Sequence, residues 1–180
     1  VLAWLLLKEA TLCAGHAMAL AIPRRQRGST LSGAYALDRA QLDDSGRALV
    51  SVLLRSRHTG VIERAAQGLA LACERLLLSP VVELASLPAE WLAELLATAF
   101  GTLDEPLLDG LRLSDTCRGR LTDGETSTSR SLTFLRRSAG LPHATIAILT
   151  AEPAGRSGGA YGGPIFIAVM RSLVQSAQAD

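Results

Sequence analysis

Apolar residues recur at three- and four-residue steps along most of this chain, the rhythm of helices that bury one face. Trp4, Leu5, Lys8, Leu12, His16 and Ala17 fall on such steps, and Val1, Leu5, Leu12 and Ala19 lie close to one face. This predicts a helix to about Leu20, ended by Pro23. Leu31 to Ala40 is ambiguous, and Asp43, Asp44 or Ser45 can cap the helix whose repeat runs through Ala48, Leu49, Val52, Leu53 and Ser56. Arg57-His58-Thr59-Gly60 is then a corner, after which Val61, Ile62, Ala65, Leu69, Ala72, Cys73 and Leu76 form the apolar face of a second helix. Ser79-Pro80 closes it, so the two helices are expected to form an antiparallel pair of the kind solenoids repeat.

Pro88 and Glu90 suit the first turn of a further helix with Trp91, Leu92, Leu95, Leu96, Ala99 and Phe100 on its apolar face and Gly101 as its C-terminal cap. Residues 102–129 are dense in Asp, Gly and Pro, which predicts a long polar loop with one helical turn near Leu107 to Leu111. Ala144 to Thr150 fits a helix or a strand. A Gly-rich connector, 153–164, leads to a last helix from Pro164 to about Ala177, with Ile165, Ala168, Val169 and Leu173 on one face.

Composition sharpens this picture. Hydrophobic residues make up 48% of 180 positions, enough for a continuous core, while aromatics are only 4%, which favours helices over a sheet and an all-α fold. The chain opens on Val rather than Met and is expected to be a single segment, 1–180, of a larger protein. Val1 to Ile22 resembles a membrane span in hydropathy, but Lys8 and Glu9 sit in its middle, where charge is costly in lipid, so no membrane insertion is expected. A formal net charge of +1 supplies no bulk field toward nucleic acid, leaving that role to local patches. Three separated cysteines, Cys13, Cys73 and Cys117, make a disulfide framework unexpected and point to a reducing compartment.

Candidate chemistry is sparse. Gly155-Arg156-Ser157-Gly158-Gly159 matches the nucleophile-elbow pattern, yet no His follows Ser157, and a flexible loop describes the stretch equally well. The same loop lacks the Lys-Ser/Thr ending of a phosphate cradle. Cys13 and His16 have ligand-like spacing without a second pair, so both are expected as core or interhelical residues and no metal is expected. His58, at a helix corner, is expected to cap a C-terminal carbonyl, and His143 can face the same surface as Arg136 and Arg137. Arg24-Arg25-Gln26-Arg27 is a basic loop, either a solvated connector or an anion contact. The paired guanidiniums of Arg136 and Arg137 suit phosphate or carboxylate, and Ser138-Ala139-Gly140 after them allows close approach. The pair is expected at the start of a turn, exposed.

Arg136-Arg137-Ser138-Ala139-Gly140-Leu141-Pro142 resembles the Arg-Arg-Ser-Ala-Gly-hydrophobic-Pro motif of the thyroid adenoma-associated protein (THADA-like) family, helical-repeat proteins with a yeast counterpart in tRNA methylation. Arg57-His58-Thr59-Gly60-Val61-Ile62-Glu63, Trp4 with Lys8-Glu9-Ala10, Pro88-Ala89-Glu90-Trp91 and Thr150-Ala151-Glu152-Pro153 resemble further family segments, whereas the connector 153–164 looks peculiar to this chain. The resemblance implies a piece of an armadillo/HEAT-like α-solenoid without a catalytic site or cofactor. It implies a cytoplasmic adaptor whose protein partner is a tRNA 2'-O-ribose methyltransferase acting on the first nucleotide of the anticodon loop, with tRNA met through the complex and Arg136 to Pro142 as the functional motif. A helical-repeat scaffold that binds only proteins is the alternative.

Overall fold

The structure is a computed structural model and describes residues 2–22, 37–100, 103, 105–111, 113–122, 138–153 and 163–178. All regular structure among the described residues is helical: α1 (Leu2–Ala21), α2 (Arg39–Arg55), α3 (Thr59–Leu77), α4 (Val82–Ala85), α5 (Leu87–Phe100), α6 (Glu105–Leu111), α7 (Asp115–Thr122), α8 (Gly140–Thr150) and α9 (Pro164–Gln178). The all-α expectation holds.

The amphipathic repeat of α3 puts Val61, Ile62, Ala65, Leu69, Ala72, Cys73 and Leu76 in the core, and α1, α2 and α8 pack around it. Two glycines set the α1–α3 crossing: a methyl on Gly15 would overlap the backbone of Gly68, and one on Gly68 would sit 2.7 Å from the Thr11 carbonyl oxygen. The helices run the same way, because Trp4 stacks on His58 near their starts while Gly15 meets Gly68 further along. No helix among the described residues is long and apolar enough to cross a membrane.

Helix α2 starts earlier than the sequence suggested. Asp38 accepts from Gln41 N at 2.8 Å and Gln41 Oε1 accepts from Asp38 N at 3.1 Å, a reciprocal capping box that fixes the start at Arg39. The expected caps are engaged otherwise or exposed: Asp43 holds Trp91 and Arg47, Ser45 Oγ donates to the Gln41 carbonyl, and Asp44 is exposed.

Helix α5 is buried around most of its circumference, with Ala93 and Ala97 joining Trp91, Leu92, Leu95, Leu96 and Ala99, because α2, α3, α6, α7 and α8 all touch it. Its seam with α2 is polar and fully matched. Both oxygens of the buried Glu90 accept from Arg39 Nη2, at 3.0 and 2.9 Å, and Ser86 Oγ donates to the same carboxylate. Trp91 Nε1 donates to Asp43 Oδ1 at 2.7 Å, and Gly46 leaves the space its ring fills. Arg47 bridges Asp43 and Glu94, and its hydrogen bond to Glu94 above all holds the guanidinium protonated even beyond its ordinary range.

The expected long loop is largely helical where it is described. Its turn formers are helix starts: Pro106 is the second residue of α6, and Ser114 Oγ accepts from Cys117 N at the start of α7. Leu107, Leu108, Leu111 and Cys117 are buried, and Gly110 lets α6 approach Ala168 of α9, where a methyl would lie 2.7 Å from the Ala168 Cβ. A short turn, α4, was also not anticipated. The run Ala144 to Thr150 is helix, with Ala144, Ala147 and Ile148 buried. Beyond it Glu152 caps α9 from a distance, accepting from Ile165 N at 2.9 Å and Phe166 N at 3.0 Å, a carboxylate at the positive end of a helix.

Candidate functional site

Three of the stretches singled out in the sequence meet at one end of α2. Helix α2 stops when Ser56 turns extended (φ −73°, ψ 142°) while its N–H still bonds the Val52 carbonyl. His58, also extended, then opens α3, and its carbonyl accepts from Val61 N and Ile62 N, both at 3.0 Å. The corner is therefore Ser56 to His58, starting one residue before the expected Arg57 to Gly60, and Thr59 and Gly60 already belong to α3.

Ser138 arrives there from 84 positions away, its Oγ donating to the Leu54 carbonyl at 2.7 Å and accepting from Gly140 N at 3.2 Å. That bond satisfies one of the last carbonyls of α2. Here the structure corrects an expectation about His58, whose ring makes no capping bond: Ser138 fills that duty, and the His58 ring stacks on Trp4 with centroids 5.7 Å apart and planes 20° from parallel. Gly140 lies flat against the same helix end, where any Cβ would overlap the Leu53 carbonyl. It has no left-handed backbone angle, so its smallness serves contact between two helix ends rather than a turn.

The rest of the heptapeptide divides by exposure. Leu141 packs against the core, while Ala139 and Pro142 are exposed. Pro142 is the third residue of α8, where a missing N–H costs no helical hydrogen bond. His143 is exposed on the same first turn, with Nδ1 3.0 Å from the Ala139 carbonyl. Arg136 and Arg137 lie outside the described residues.

Around this junction Arg55 and Arg57 are exposed, and neither forms an ion pair with a described residue. Arg55 also borders a groove of about 220 Å³ between α2 and α5, lined further by Arg47, Ser51, Trp91, Glu94 and Thr98. Arg55 was missed in the sequence reading, as was the Trp4 stack: helical periodicity marks which face is buried, not which exposed residues become neighbours through packing.

The other candidates do not assemble. Cys13 and His16 are exposed rather than in the core, because that side of α1 points away from α3; His16 Nδ1 lies 2.9 Å from the Leu12 carbonyl. No group of three or more His, Cys, Asp or Glu able to hold a metal occurs among the described residues. Cys73 is fully buried, and that burial pushes its thiol up, away from the reactive thiolate. Ser157 and the basic loop Arg24 to Arg27 lie outside the described residues, and the segment preceding the elbow pattern is helix α8 instead of the strand an elbow needs.

A family model described as THADA/TRM732, DUF2428 matches residues 1–180. Over 120 residues the chain is 31% identical to the tRNA (32-2'-O)-methyltransferase regulator THADA of Drosophila melanogaster, which takes in 67% of this chain and 6% of that protein. The match therefore spans a small part of that relative's length. No solved structure matches the chain.

Proposed function

Because the chain belongs to the THADA/TRM732, DUF2428 family, we propose that it is one helical-repeat segment of a larger, non-catalytic adaptor that partners a tRNA 2'-O-ribose methyltransferase. The relative's name makes it a regulator of such an enzyme, and the first nucleotide of the anticodon loop is the modified position on this reading. The segment is part of an armadillo/HEAT-like solenoid in the cytoplasm, with tRNA met through the complex. Arg136 to Pro142 is its working motif.

The observation that supports this most is the convergence at the end of α2. Ser138 and Gly140 are consumed in locking the start of α8 to Leu53 and Leu54. Ser138 thereby stands at the helix end that leads into Arg55, Arg57 and His58, and the exposed guanidiniums of Arg55 and Arg57 there suit phosphate or carboxylate. Restoring the full-length protein to cells lacking the homologue and quantifying ribose methylation at the first anticodon-loop nucleotide tests this. Recovery is expected; unchanged methylation in cells that never had the protein would remove the idea.

A protein-only scaffold is the second reading, favoured by the formal net charge of +1. Binding of tRNA to the full-length protein with its methyltransferase across a salt series separates the two. A steep loss with salt supports the RNA-associated adaptor, and salt-independent behaviour supports the scaffold.

A further inference from the structure

At the corner between α2 and α3 the molecule holds an open arrangement that its own packing does not explain. His58 is exposed and its ring is stacked on Trp4. Arg55 and Arg57 precede it in the chain by three residues and one, exposed and without an ion-pair partner among the described residues. Gly60, in the first turn of α3, has nothing within 4 Å of where a Cβ would stand. Gly119 of α7 is open in the same way, whereas Gly15, Gly46, Gly68, Gly110, Gly140 and Gly163 are each small because another part of the chain occupies the space. Glycine lowers helix stability relative to Ala, so a glycine with open space beside it gains nothing for this fold. Something from outside that comes close to the backbone would account for it.

We propose that this corner is a binding site for an unpaired RNA nucleotide, whose base extends the Trp4–His58 stack and whose neighbouring phosphates meet Arg55 and Arg57 across the open side of Gly60. The inference rests on the RNA-associated adaptor reading and specifies its ligand as single-stranded, loop-type RNA. A planar ring on a second ring, bordered by guanidiniums, is the composition by which proteins take splayed bases: the stack accepts any base by its π-face and the cations track the backbone. An acidic protein surface would use the guanidiniums but gain little from the stacked rings. A double helix keeps its bases stacked on one another and offers none to the ring. Glu63, the acid nearest along α3, is five residues beyond His58 and so roughly 140° around the helix from it, but three beyond Gly60 and so beside the open side that the phosphates cross.

The test uses the full-length protein with its methyltransferase, and as probes a fluorescent anticodon stem-loop and a fully paired RNA hairpin of equal length. The stem-loop is expected to bind more tightly than the hairpin. His58→Ala should weaken stem-loop binding about tenfold or more, the scale of one lost base stack, and leave the hairpin unchanged. His58→Phe, which keeps a ring without its nitrogens, should retain most of it. Trp4 is partly buried and its loss can disturb α1, so Gly60→Ala is the second arm: it should leave the amides of α3 as protected from hydrogen exchange as before, yet weaken the stem-loop several-fold by closing the open side. If His58→Ala and Gly60→Ala bind the stem-loop like the parent protein while methylation still depends on the full-length chain, the inference is overturned and the adaptor reading stands. If the variants lose the methyltransferase but keep the RNA, the corner is a protein contact and the inference is likewise overturned. If methylation never depended on the protein, the adaptor reading has failed, and stem-loop binding lost on His58→Ala would then be the corner's own property.

Discussion

Arg39 and Arg47 of α2 face Glu90 and Glu94 of α5, whereas Arg55 at the end of the same helix and Arg57 just beyond it are exposed and meet no described carboxylate. The difference is one of burial. Glu90 is 1% exposed, and a carboxylate taken that far from water needs its hydrogen bonds met, which Arg39 and Ser86 do. A charge at the corner keeps its water and needs no partner to be tolerated, so its type is free to be set by something outside the chain. The seam holds the fold together and the corner is available for contact.

Breaking the seam should therefore cost stability. Trp91→Ala removes a ring that fills the space beside Gly46 and the donor that Asp43 accepts, and is expected to cost about 4 kcal/mol. Hydrogen exchange of α5 amides in the full-length protein reads this as lost protection. Gly140→Ala forces the start of α8 off the Leu53 carbonyl and should cost about 3 kcal/mol, lowering α8 protection and methylation together; unaltered α8 protection would mean the two helix ends do not touch as described. Glu90→Ala should cost less, about 2 kcal/mol, since it removes charged hydrogen bonds but leaves Arg39 able to turn to water; the Arg39 side chain is already 40% exposed. At the corner the scale changes. Arg57→Ala should alter stability by under about 0.5 kcal/mol, with hydrogen exchange through α2 and α3 unchanged.

The seam and the corner were legible to different degrees. Periodicity gave the ends of α1 and of the last helix nearly to the residue and the α2–α3 corner to within two, although α1 is apolar on its exposed side too, at Leu2, Leu6 and Leu20. It placed the start of α2 too late, since Asp38 and Gln41 cap by a reciprocal pair that a search for single capping residues passes over. It placed one helical turn near Leu107 to Leu111, within α6, but read loop at α7, since Ser114 begins a short helix packed on α5, a neighbour no local pattern reveals. In the heptapeptide the sequence marked the small residues as special, but for close approach of a partner. Ser138 and Gly140 approach the chain's own Leu53 and Leu54 instead. That a residue near 55 and one near 138 are neighbours is a tertiary fact, carried by one hydroxyl and one missing methyl.

The central claim is that Arg136 and Arg137 serve contact and not folding, and Arg136→Ala with Arg137→Ala in the full-length protein tests it most directly. Hydrogen-exchange protection of α2 and α8 and ribose methylation of the anticodon-loop nucleotide are measured on the same variant. Protection within about 1 kcal/mol of the parent protein, with methylation reduced about tenfold or more, is the predicted result. Collapse of α8 protection while the remaining folded molecules methylate normally would contradict it and make the pair structural.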